Sequence, residues 1–138
     1  MTIEEKIKKI ADDYFSEYPY IFDNVYRIDE RIHQNGLPCI LSIIPTRGRV
    51  TIRNGRVHDV LEIQIGFFDK IPHDANGDDN AECYNRMKDL AFAFIKKCNE
   101  SHFFMAIESV DYTLQYAEMA DILTGVLVSM RVEDLGRC

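Results

Sequence analysis

A chain of 138 residues with 46% hydrophobic and 28% charged residues has the balance of one folded domain with a single core, which argues against a fibrous or disordered polymer. Its formal net charge of -7 argues against a molecule coated in phosphate-binding surface and leaves room only for a local basic patch. The N-terminal MTIEEKIKKI is charged and periodic, and no apolar run approaches the ~18 residues of a membrane span, so neither a signal peptide nor membrane contact is expected.

Thr2 and Glu5 have capping-box spacing, and Ile3, Ile7, Ile10, Tyr14 and Tyr18 recur at helical intervals, predicting a first helix over 3–17 that stops before Pro19. The segment YIFDNVYRIDERIHQNG has no clean period and ends in Asn35-Gly36; it reads as a loop with room for a short strand. From Leu37 the pattern turns to β: LPCILSII is a compact apolar strand closed by Pro45. In GRVTIRNGRVHDVLEIQIGFF, Asn54-Gly55 suits a two-residue type I′ turn, because both central positions need positive φ; this predicts a protruding hairpin over about 46–60. Beyond it, Leu61, Ile63, Ile65 and Phe67 alternate with Glu62, Gln64 and Gly66, as in a half-buried strand.

The acidic stretch HDANGDDNAEC begins like a calcium loop, with Asp74, Asn76 and Asp78 alternating. Its glycine nevertheless falls at the fourth position instead of the sixth, and Asn85 stands where the twelfth-position carboxylate belongs. The better reading is a strand-to-helix connection in which Asn76-Gly77 turns the chain and Asp79 caps a helix, with Glu82 completing a capping box. That helix is predicted over Asn80–Asn99 with Met87, Leu90, Phe94, Ile95 and Cys98 on one face. Two or three strands close the chain: HFFMAIESV, YTLQY (Tyr112, Leu114, Tyr116) and ILTGVLVSMRV, the last with Ile122, Val126, Val128, Met130 and Val132 on one face. The order predicts a single α+β domain spanning 1–138, with both helices on one face of a largely antiparallel sheet.

Chemistry has few footholds. His33, His58, His73 and His102 fall in four separate segments, and Cys39, Cys83, Cys98 and Cys138 lack metal-ligand spacing, so no metal and no cofactor is expected. No nucleophile elbow, zincin or phosphate-loop pattern occurs. A Cys39/His58 nucleophile pair on neighbouring strands would be ordinary chemistry, but Cys39 sits in an apolar run and reads as a core residue, leaving a small thiol enzyme using Cys39 or Cys83 as the weakest alternative.

The hairpin is more informative. Arg47, Arg49, Arg53 and Arg56 crowd into one turn region of an acidic chain, and a two-residue loop sets Arg53 opposite Arg56 with Arg49 on the same face. Like charges facing each other cost a few tenths of a kcal/mol. Guanidinium forks suit carboxylates or phosphates, so the face is expected to meet either acidic residues of another chain or nucleic acid. Asp74, Asp78 and Asp79 supply an acidic partner surface within the same sequence, and such a contact between copies would be head-to-tail.

The order of these motifs resembles that of the small α+β proteins of tailed bacteriophages that form rings at the neck or tail end, the tail-terminator and tail-completion group. The resemblance rests on the N-terminal helix, the strand entered at LPCILSII, the hairpin with VLEIQIGFFDK, the helix AECYNRMKDLAFAFIKK and the final ADILTGVLVSMRVED with its Thr124-Gly125 step. It implies a noncatalytic virion structural protein forming a ring of roughly six or twelve copies. The same resemblance implies neighbouring neck, portal or tail proteins as partners, DNA passing through the lumen without specific binding, and a location in the virion after assembly in the host cytoplasm. A nucleic-acid-binding module using the arginine hairpin is the alternative.

Overall fold

A computed structural model of the chain describes residues 2–23, 36, 38–70, 76–118 and 123–134. Helix α1, Ile3–Tyr14, starts on Thr2, whose hydroxyl oxygen accepts the Glu5 N–H at 3.2 Å, and turns Ile3, Ile7, Ile10 and Ala11 inward. It stops at Tyr14 instead of residue 17: Phe15 leaves the helical conformation and buries its ring against Phe94, a gain larger than one more turn of exposed helix would bring. Tyr14, expected on the inner face, is exposed, with Lys97 Nζ 4.8 Å from its ring centroid.

The next strand, β1 (Tyr20–Asp23), is the short strand for which the loop reading of this segment left room, and it pairs in parallel with β2 (Cys39–Arg53). Pro45 does not close β2. Between the pairs Ile43↔Gln64 and Arg47↔Glu62 the strand carries Ile44, Pro45 and Thr46 against Ile63 alone, and this irregularity absorbs a residue with no N–H to donate. Strand β3, Arg56–Lys70, returns antiparallel along the whole of β2.

Helix α2, Gly77–Glu100, begins earlier than expected. Asn76, not Asp79, is the cap: its side-chain oxygen accepts the Asp79 N–H at 2.9 Å while the Asp79 carboxylate accepts the Asn76 N–H at 3.2 Å. Asn and Asp cap equally well, so the earlier box wins by adding a turn and by placing Asp78 and Asp79 in it, against the positive end of the dipole. The predicted strand HFFMAIESV is also corrected. His102 takes φ 58°, Asn99 brackets Ile107 through both of its amide atoms (2.8 and 3.1 Å), and only Phe104 makes a single bridge, to Asp134. Backbone groups that a strand would have offered to a neighbour are thus taken locally.

Strands β4 (Asp111–Glu118) and β5 (Leu123–Glu133) complete a five-stranded sheet in the order β1-β2-β3-β5-β4, antiparallel except at β1/β2. The fold is therefore α+β with a largely antiparallel sheet. Ile63, Ile65 and Phe67 of β3 and Val126, Val128, Met130 and Val132 of β5 pack with Ile7, Ile10, Ala91 and Phe94, so both helices cover the same face. Ile122, expected on that face, lies outside the described residues.

A smaller cluster on the other face holds Ile21, Cys39, Leu41 and Phe68. The Phe68 ring lies across Gly66 and Gly125, where any Cβ would collide with it, and at Gly125 a Cβ would also meet the Phe67 carbonyl. The preceding Thr124 is buried, and its hydroxyl donates to Asn80 Oδ1 at 2.9 Å, tying the start of β5 to the first turn of α2. At the other end of β5, the buried Lys6 ammonium of α1 pairs with the buried Asp134 carboxylate and donates to the Phe103 carbonyl at 3.3 Å.

Candidate interaction arm

β5 runs alongside β3 only as far as the pair Val60↔Glu133, while β2 and β3 stay paired out to Arg53↔Arg56. Among the described residues, the pairs from Val50↔Asp59 to the tip therefore form a two-stranded arm, with Asp134 N–H donating to the Asp59 carbonyl at its base. Asn54 and Gly55 close it with φ 54° and 75°, the conformation that the Asn-Gly pair tolerates.

Alternation then sorts the arm's side chains. Arg47, Arg49, Thr51 and Arg53 stand opposite Glu62, Val60, His58 and Arg56, so Arg49, Arg53 and Arg56 share one face, as the turn predicted, and Arg47 joins them there. This is the face of the sheet away from the helices, since Leu61, between Val60 and Glu62, packs against the helix-side core. The Arg53 guanidinium lies back toward the arm's base and pairs with Glu133 Oε1, which also has His58 Nδ1 at 3.3 Å. Arg47, Arg49 and Arg56 have no carboxylate within ion-pair distance among the described residues.

A fifth arginine joins them. Arg131 of β5 pairs in register with Glu62, so Glu62 sits between Arg47 on one side and Arg131 on the other. A cleft of about 180 Å³ is lined by Arg47, Arg49, Thr51, Glu62 and Arg131. Sequence reasoning missed Arg131 because only the β3/β5 register brings it there. The cleft carries three cations to one anion, an arrangement suited to carboxylate or phosphate groups.

Of the acidic surface, Asp78 and Asp79 stand exposed at the start of α2, the latter held in its capping box; Asp74 lies outside the described residues. Asn80 and Thr124 fix this acidic start beside the first residues of β5, whereas the arm leaves from the last. The two surfaces thus sit at opposite ends of β5, roughly 30 Å apart at ~3.3 Å per residue. They do not meet within one molecule.

The Cys39/His58 pair is not assembled. His58 stands opposite Thr51, and β2 runs from Cys39 to Thr51 on the order of 40 Å at strand rise. Burial pushes the thiols of Cys39 and Cys98 up to about 12 and raises that of Cys83, so all three stay protonated near neutral pH and offer no thiolate. Cys138, His33 and His73 lie outside the described residues, and among those described no group of His, Cys, Asp or Glu could hold a metal ion.

What the fold and arm define is a class: an α+β sheet protein with a projecting, one-sidedly cationic hairpin. No protein-family model matches the chain, and no curated protein matches it.

Proposed function

We propose that this chain is a noncatalytic structural subunit that assembles head-to-tail into a ring, of the kind found at the neck or tail of tailed bacteriophages, with neighbouring neck, portal or tail proteins as further partners. The reading rests on one observation above the others: a cationic arm and an acidic helix start lie at opposite ends of the central strands, where they can only engage on different molecules. Unlike surfaces in contact generate a ring if the rotation closes. The net charge of -7 suits a lumen through which DNA slides without sticking, because phosphate contacts would hold it.

Native mass spectrometry across concentration, with negative-stain imaging of large species, tests the proposal. A closed species of defined copy number is expected, and Arg53→Glu with Arg56→Glu is expected to weaken it by at least tenfold in concentration. Assembly unchanged in that double variant would overturn the head-to-tail contact.

A second reading, a nucleic-acid-binding module, draws on Arg131 joining the hairpin arginines. If Arg47, Arg49 and Arg56 each neutralise one phosphate, the logarithm of affinity should fall against the logarithm of salt with a slope of roughly -3. A duplex or single strand that shows no salt-dependent binding would remove this reading.

A further inference from the structure

The two faces of the arm differ. Its back is apolar, with Val50, Ile52 and Val57 exposed, and its front is where charge collects. On the front, Arg47, Glu62 and Arg131 form one row across β2, β3 and β5, so each arginine has the carboxylate as its neighbour on the adjacent strand. Opposite charges at that spacing are well placed to pair. Neither pair is made: Glu62 has no ion pair and no side-chain hydrogen bond among the described residues, and the same holds for Arg47, Arg49 and Arg131.

These four side chains line the cleft of about 180 Å³, with the half-buried Val60 as its floor and Thr51 next to Arg49 on the same face. The strands that carry Arg47 and Arg131 lie about 10 Å apart, two sheet spacings, a gap that two arginine side chains can close from either side. The other charges of this face lie outside the cleft. Glu133 holds Arg53 and His58, Arg56 lies at a hollow nearer the tip, and Glu108 and Asp111 line an adjoining hollow on the far side of Arg131. Three guanidiniums against one carboxylate leave the cleft two positive charges in excess.

An excess of that size suits a divalent oxyanion, and Glu62 decides which. An ionised carboxylate only accepts hydrogen bonds. Sulfate at neutral pH has acceptor oxygens alone, so they would meet those of Glu62 with no proton between them. Hydrogen phosphate carries the same charge and keeps one O–H, which it donates to Glu62 while its remaining oxygens accept from the guanidiniums. Repulsion of the wrong anion contributes to specificity as much as attraction of the right one. A phosphate monoester has lost its second proton by neutral pH, since that pKa is about 6, and a diester has none to lose.

We propose that Arg47, Arg49, Arg131 and Glu62 form a binding site for free hydrogen phosphate. The site is distinct from the nucleic-acid reading, because the backbone phosphates of a nucleic acid are diesters, and it does not draw on the self-assembly reading.

Titration of the chain with inorganic phosphate, sulfate or methyl phosphate at neutral pH and low salt, followed by calorimetry and by arginine side-chain chemical shifts, tests it. Phosphate is expected to bind at least tenfold more tightly than either of the others. Glu62→Gln should strengthen sulfate at least tenfold and erase the preference, since the amide has N–H groups to offer it. Arg131→Gln should weaken phosphate at least tenfold with the thermal melt unchanged. Equal affinities for phosphate and sulfate in the wild-type chain would overturn the proposal. Phosphate binding left intact by Arg131→Gln would also overturn it, by placing the anion nearer the tip, as would no binding up to about 10 mM phosphate. The self-assembly reading keeps its own test in copy number, so failure of one is distinguishable from failure of the other.

Discussion

Replacing Lys6 with methionine isolates the interaction that joins the first helix to the end of the last strand. Lys6 and Asp134 are both buried, and the ammonium also serves the Phe103 carbonyl at 3.3 Å while lying 5.8 Å from the Phe103 ring centroid. Methionine keeps most of the side-chain volume, so the change leaves a carboxylate in the interior without its cation. Breaking a buried pair from one side costs about 3–5 kcal/mol, and the lower end is expected because Asp134 keeps other interactions. With a urea slope near ~1.5 kcal/mol/M for a domain of this size, the midpoint should drop by about 2 M. Circular dichroism is the readout, as the chain has no tryptophan. Adding Asp134→Leu to Lys6→Met should restore most of the loss, because removing both charges also removes their desolvation cost. One molar salt should change the loss little, unlike the exposed Lys8–Asp12 pair on the same helix. A midpoint shift under ~0.5 M, or a double variant no better than the single, would refute this account of the interior pair.

Two further outcomes concern the core. Cys39, Cys98 and Tyr20 are each raised to about 12, chiefly by burial, so the folded chain holds protons that the unfolded chain releases above pH 9 to 10. These three groups leave stability unchanged up to about pH 8 to 9 and lower it as pH rises further toward 12, by up to about 1.4 kcal/mol per pH unit for each group; denaturant midpoints that stay level from pH 8 to 11 would contradict it. Gly66→Ala and Gly125→Ala should each destabilise by about 1–3 kcal/mol through overpacking. Adding Phe68→Leu should relieve only the first, because a Cβ at Gly125 also meets the Phe67 carbonyl; equal relief, read from thermal melts, would show that the ring alone sets the limit.

The elements most legible in the sequence were those whose signals are local. Asn54-Gly55 announced its turn, the alternation from Leu61 to Phe67 fixed which side of β3 is buried, and parity then put Arg49, Arg53 and Arg56 together. The α2 cap was misplaced because HDANGDDNAEC holds two overlapping capping boxes, and only the backbone shows which one is used. HFFMAIESV alternates as a strand would, yet a positive φ at His102 and the side chain of Asn99 divert it, and neither effect has a periodic signature. The apolar back of the arm went unread for a different reason. Val50, Ile52 and Val57 look like ordinary buried strand residues until it is known that β5 ends at Glu133 and leaves them uncovered.

That β3 is a single unbroken strand has a mechanical consequence. It runs from Lys70, between β2 and β5 in the middle of the sheet, to Arg56 at the tip, so the arm is the free end of the molecule's central beam. A pull on the tip along the strand draws β2 and β3 together and loads the β3/β5 and β1/β2 hydrogen bonds in shear at once, whereas an appended loop would peel away one bond at a time. Anything gripping the arm therefore pulls on the whole sheet, and a displacement at the contact is carried as a rigid tilt to the helices on its face.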